Sequence, residues 1–160
     1  MKKLLFVTGI AAFLLACGGT EEKKSEAAAS TPASTEPAAA EAAASTDASK
    51  GIGKFTKVEV GATLDAAMAE KGQTVYDVKC MSCHKLTDER LVGPGWKGVT
   101  SRRTPEWVMN FATNVDEMLA KDAEAQAQLE ICLVRMPNQN LTDDDARNVY
   151  EFMRKNDGVK

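Results

Sequence analysis

The sequence predicts an all-α fold for residues 54 to 160, and three observations carry that reading. Two segments open with helix-start residues in the right order, Thr104-Pro105-Glu106 and Thr142 followed by Asp143-Asp144-Asp145. Behind those starts, apolar residues recur at helical spacing, as Trp107, Val108 and Phe111 and again as Val149, Phe152 and Met153. No pair of alternating apolar and polar runs offers two strands that could meet.

The N-terminal third reads differently. Met1-Lys2-Lys3 is a short positive start, and the apolar run from Leu4 to Leu15 is too short to span a bilayer as a lasting helix. It ends Leu14-Leu15-Ala16-Cys17, which resembles a bacterial lipoprotein signal. That resemblance implies a signal peptide over residues 1–16, cleavage before Cys17, and lipid on its thiol and new amino terminus. The alternative is ordinary cleavage that leaves Cys17 free. Gly18 to about Lys50 is built of Ala, Glu, Ser, Thr and Pro with no large apolar residue. Such a segment cannot bury enough surface to offset the entropy of ordering it. Residues 17–53 are therefore expected to be a lipid anchor and a disordered tether, with a typical span on the order of 30 Å. The tether either makes encounters with membrane partners nearly intramolecular or is a passive spacer.

The remaining elements follow in order. Phe55-Thr56-Lys57-Val58-Glu59-Val60 suggests a short extended arm. Thr63 is a plausible N-cap, with Asp65 placed in the first turn near the positive end of the helix dipole. That helix is expected to run to about Lys79, bent or loosened at Gly72. A second helix starts at Thr104 and a third covers roughly Asp116 to Val134. The last starts at Thr142, where Asp145 stands in for the usual Glu or Gln of a capping box.

The chain has 160 residues, a net charge of −3 and only 6% aromatics. No basic balance points to nucleic acid. A small domain with few aromatics needs another source of apolar mass, such as a metal, a disulfide set or a cofactor. Cys17, Cys80, Cys83 and Cys132 are too unevenly placed for a disulfide framework.

Cys80-Met81-Ser82-Cys83-His84 matches C-x-x-C-H, the c-type haem attachment signature. Near a helix end, residues three apart share one side, so two thiols can add to the two vinyl groups of one porphyrin. His84 then follows as a ligand for the iron, and it is the single histidine of the chain. Two other readings compete. A thioredoxin-type pair needs its C-x-x-C at a helix start, whereas here a helical stretch precedes it. A zinc site needs four ligands, and the adjacent Cys83 and His84 do not easily reach one tetrahedral ion.

Around this motif, about residues 64 to 160 resemble the class I cytochromes c. Gly72 and Tyr76 precede Cys80 by eight and four residues, like the glycine and aromatic with which that family's first helix meets its last. Taken alone, Gly72 reads equally as a simple helix break. Gly93-Pro94 lies about ten residues past the motif, where the family's proline carbonyl accepts a hydrogen bond from the ligand imidazole. The Gly-Pro-Gly stretch is also an ordinary turn. The resemblance implies a small cytochrome c fold, with helices wrapped around one covalently attached haem c.

The second axial ligand falls to Met136. It lies in the loop Arg135-Met136-Pro137-Asn138-Gln139-Asn140, where Pro137 biases it to an extended backbone, and Met-Pro before the final helix is the family's distal pattern. Met118 is the runner-up. His84 and Met136 together would raise the reduction potential and leave no open position for substrate. The expectation is therefore an electron-transfer protein, with no catalysis of its own, on the periplasmic side of a bacterial membrane. Its redox partners would be a quinol–cytochrome c oxidoreductase and a terminal oxidase or periplasmic reductase. The rivals are a haem enzyme or gas sensor with a weak Met136 bond, and a fixed structural subunit of a larger complex.

Three features stay open at this level. Cys132 is either a small buried hydrophobe, half of an intermolecular disulfide, or a redox-sensitive thiol. Trp96 and Trp107 either pack or hydrogen-bond a haem propionate. Lys79, Lys85, Lys97, Arg102 and Arg103 cluster near the motif in sequence, either as a positive rim that steers an acidic partner or as a solvated mixed surface with Asp88 and Glu89.

Overall fold

A computed structural model describes residues 47–160; the expected signal peptide, Cys17 and most of the expected tether lie outside the described residues. The described part contains six α-helices and no strand: α1 Ala66–Lys79, α2 Val99–Arg102, α3 Pro105–Thr113, α4 Val115–Lys121, α5 Ala123–Cys132 and α6 Asp143–Asn156. None of them is long and apolar enough to cross a membrane.

The caps show why these residues make these helices. Thr104 accepts from Trp107 N and sets Pro105 at the first helical position of α3. Thr142 accepts from Asp145 N while the Asp145 carboxylate accepts from Thr142 N, so the capping box forms with Asp in the third position. Each cap is worth about 1 kcal/mol. Two boundaries differ from expectation. Helix α1 starts at Ala66, capped by Asp65 accepting from Met68 N, and not at Thr63. The carbonyl of Thr63 instead accepts from Arg154, so a tertiary contact competes with the local signal there. The long helix expected over 116–134 is broken at Asp122. That residue caps α5 through Ala125 N and also accepts from Trp107 Nε1 at 3.2 Å.

Helices α1 and α6 cross at Gly72, and α1 runs through it unbroken. A Cβ there would lie 2.5 Å from the Asn148 carbonyl carbon and 2.9 Å from Phe152 Cβ. The glycine is thus a close-approach residue and not a break. Tyr76 extends the crossing, with its ring 5.3 Å from that of Phe152 and 4.9 Å from that of Trp96. Val149, Phe152 and Met153 are all buried in the same core.

Residues 47–64 wrap along the outside of this core, so the folded part begins before residue 54, where the tether was expected to end. Buried Asn110 donates to the carbonyls of Lys50 and Phe55 and accepts from Phe55 N. Gly51 sits so close to Met118 that a Cβ would lie 2.7 Å from its Cε. Further along, Val58 N donates to Glu106 and Asp65 N to Glu151. Glu151 is fully buried, paired with Arg147 at 2.7 Å and Arg154 at 2.6 Å. Arg154 in turn donates to Gly61 O at 2.7 Å. A buried charge is tolerable because each partner is charged or hydrogen-bonded.

Candidate haem site

The last turn of α1 delivers Cys80, which caps the helix by donating to Tyr76 O. The chain then turns tightly, with Cys83 N and His84 N both donating to Cys80 O at 3.0 Å. The following loop folds back on this turn. Val92 N and Gly93 N donate to Cys83 O, and Trp96 N donates to Lys85 O. Tyr76 donates its hydroxyl to His84 O at 2.8 Å. The histidine backbone is therefore held from the helix and from the loop.

The imidazole is oriented just as closely. His84 Nδ1 lies 2.9 Å from Pro94 O. A carbonyl only accepts, so Nδ1 carries the hydrogen and Nε2 keeps its lone pair. Burial pushes the His84 pKa below its ordinary 6.5, partly offset by the hydrogen bond to Pro94, so the ring is neutral at pH 7. Gly93 packs close against the ring; a Cβ there would lie 2.8 Å from Nδ1 and 2.9 Å from Nε2. Trp96 flanks it at 5.5 Å between centroids. The Cys80 thiol is pushed up to about 11, first by burial and then by Cys83 nearby, against the pull of Lys79.

These groups open onto one cavity of about 590 Å³, within the size range of cofactor sites. Cys80, Cys83, His84, Pro94 and Met136 all line it. Trp107, Val108 and Leu119 line its apolar depth. Met153 also faces the cavity, from its buried place on α6. Met118 does not: it is fully buried, and its sulfur accepts from Ile52 N at 2.9 Å. The runner-up for axial ligand is thus committed elsewhere.

The competing readings of C-x-x-C-H meet specific obstacles. The motif stands at the C-terminal end of α1 and not at a helix start. Among the described residues, no cluster of three or more His, Cys, Asp or Glu could hold a metal ion.

The packing of Gly93 on the imidazole was not foreseen in the sequence; its only signal was the glycine preceding Pro94. Cys132 is half-buried, unpaired and in the cavity wall. Trp107 Nε1 is engaged by Asp122, so it does not face outward as a propionate donor. The cations near the motif are largely tied: Lys79 to Gln139 O at 2.9 Å, Lys85 to Glu89 at 2.7 Å, Arg102 to Lys97 O at 2.8 Å and Arg103 to Glu124 at 2.5 Å.

Comparison with known proteins agrees with this geometry. A family model for cytochrome c matches residues 69–157. The structure of a cytochrome c from Rhodothermus marinus is similar at 31% identity and a TM-score of 0.63, over 69% of this chain and 92% of that one. An engineered form of the Rhodothermus marinus protein is similar at 30% identity and a TM-score of 0.62, over 69% and 93%. The same engineered form bound to a carbene intermediate is similar at 30% identity and a TM-score of 0.59, over 69% and 93%. No curated protein matches the chain significantly.

Proposed function

The chain belongs to the cytochrome c family, which binds covalently attached haem c and transfers electrons, and from that premise we propose that it is a single-haem electron carrier ligated by His84 and Met136. It takes one electron from a donor such as a quinol–cytochrome c oxidoreductase. It passes that electron to a terminal oxidase or a periplasmic reductase. The sequence pattern ending at Cys17 supports lipid anchoring on the periplasmic side of a bacterial membrane, with the Ala/Glu/Ser/Pro tether between anchor and domain.

One observation carries the reading. The neutral His84 ring is held by Pro94 with its free nitrogen unprotonated, in the wall of a cavity that Cys80, Cys83 and Met136 also line. These residues fit the group. The haem supplies a one-electron change at its iron when bound. Cys80 and Cys83 provide the thiols for the two thioether links. Pro94 and Gly93 fix the imidazole plane, and the bond from Nδ1–H makes Nε2 a stronger donor. Met136 offers a neutral sulfur, which favours the reduced state. The apolar depth around Trp107, Val108 and Leu119 keeps water away and lowers the local dielectric.

Denatured, the mature protein should retain porphyrin mass on the chain. The oxidised protein should show the weak far-red absorption band of Met ligation, and Met136→Ala should abolish it. Survival of the band would reassign the ligand. The haem-enzyme rival draws on one observation, the engineered relative that holds a carbene intermediate. Carbon monoxide separates the two, since a six-coordinate ferrous haem resists it and a five-coordinate one binds it readily.

A further inference from the structure

Met136 stands in a stretch with almost no hydrogen bonding of its own. Helix α5 ends at Cys132 and α6 starts at Asp143. Between Leu133 and Thr142 the chain forms neither helix nor strand, and residues 134–141 make no backbone-to-backbone hydrogen bond. Its internal bonds are local. Gln139 Nε2 donates to Pro137 O at 3.4 Å, and Asn140 N donates to Asn138 Oδ1 at 2.8 Å. Such a loop recovers backbone freedom whenever it lifts away from the core, so something else has to hold it down.

Three charged side chains join this loop and its root to the rest of the domain. Arg135 pairs with Asp116, but the two side chains are 54% and 77% exposed, where an ion pair contributes little. The other two cations come from the haem-attachment side. Lys79 is the last residue of α1 and directly precedes Cys80; its Nζ donates to Gln139 O at 2.9 Å. Arg90, whose backbone bridges to that of His84, donates to Ile131 O. Donors and acceptors all line the cavity. The acceptors bracket Met136 in the chain, Gln139 after it and Ile131 before it. Each cation keeps its charge, because its partner is a neutral carbonyl, and charged donors make the stronger class of hydrogen bond. The Lys79 bond is partly buried whereas Arg90 is exposed, so Lys79 carries more of the hold.

We propose that Lys79 is a positioning residue for the distal ligand: it latches the Met136 loop to the end of α1 and slows the opening that would take the sulfur off the iron, with Arg90 as a weaker second latch. The proposal rests on the His84 and Met136 ligation put forward above. It means that the turn of α1 carrying the first haem thiol also fixes the loop on which Met136 stands, so attachment and distal ligand are referenced to one element. A lysine merely resting on a carbonyl at the surface would leave the opening unchanged.

The test uses the full-length ferric holoprotein and follows the loss of its far-red band as added imidazole replaces Met136. At saturating imidazole the rate is that of loop opening. Lys79→Ala should raise this rate at least about fivefold, the effect of losing one charge-assisted hydrogen bond. Lys79→Arg keeps both charge and donor and should restore the parent rate. Lys85→Ala removes a positive charge equally close to the motif in sequence, but one that meets Glu89; it should leave the rate unchanged. A smaller increase in Lys79→Ala would overturn the proposal. An equal increase in Lys79→Arg would overturn it in favour of side-chain packing, and an equal increase in Lys85→Ala in favour of net charge. Should Lys79→Ala fail to take up haem, acetylation of the lysines in finished holoprotein makes the same comparison. The parent should then open faster and Lys79→Arg should not, and equal responses would overturn the latch. A ferric protein without the far-red band defeats the His84 and Met136 ligation and this proposal together. An intact band with an unmoved opening rate defeats the latch alone.

Discussion

Gly93 lies hard against the imidazole of His84, close enough that any Cβ would fall within 3.0 Å of both ring nitrogens. The next residue, Pro94, supplies the carbonyl that holds Nδ1 at 2.9 Å. One dipeptide thus sets both the plane and the tilt of the ring.

Gly93→Ala should therefore displace the ring. The expected cost is about 1–3 kcal/mol, as for other overpacking changes, together with a lower yield of covalent haem. Denaturant midpoints and the haem-to-protein absorbance ratio check it. An unchanged ratio and midpoint would mean that the ring has room to move.

Gly72→Ala should be worse. Its Cβ would meet the backbone carbonyl of Asn148, which cannot rotate away as a side chain can. Helices α1 and α6 would have to separate. The loss should reach about 3 kcal/mol or more, read as a fall in thermal midpoint with the absorption spectrum still that of attached haem. A substitution at exposed Gln73, one residue along, should be nearly silent.

Glu151→Ala should leave Arg147 and Arg154 facing one another without their shared carboxylate, and Asp65 N without its acceptor. Removing one partner of a buried ion cluster costs about 3–5 kcal/mol. Chemical denaturation of the two proteins tests this. Replacing all three residues by apolar ones should recover much of the loss, because no uncompensated charge then remains.

The haem motif and the helix starts at Thr104 and Thr142 were legible before any coordinates, because each depends on residues close in sequence. The meeting of Gly72 with the last helix was implied only by the family resemblance, and the bend expected there is absent. The broken helix at Asp122 was not legible, because Asp122 serves two masters: Ala125 N three residues away and Trp107 Nε1 fifteen residues back. The start at Asp65 and the docking of residues 47–53 were missed for the same reason. Their deciding partners, Glu151, Asn110 and Met118, lie far away in sequence.

The sequence by itself determined that two thiols and one imidazole share a helix end, since a spacing of three residues sets that geometry whatever surrounds it. It also determined where α3 and α6 begin, because the caps at Thr104 and Thr142 are hydrogen bonds across three residues. Only the tertiary structure decided which methionines line the cavity and which of the nearby cations meet a carboxylate or a carbonyl. Those outcomes depend on which distant surfaces meet, and burial and charge pairing are properties of the packed chain rather than of any stretch along it.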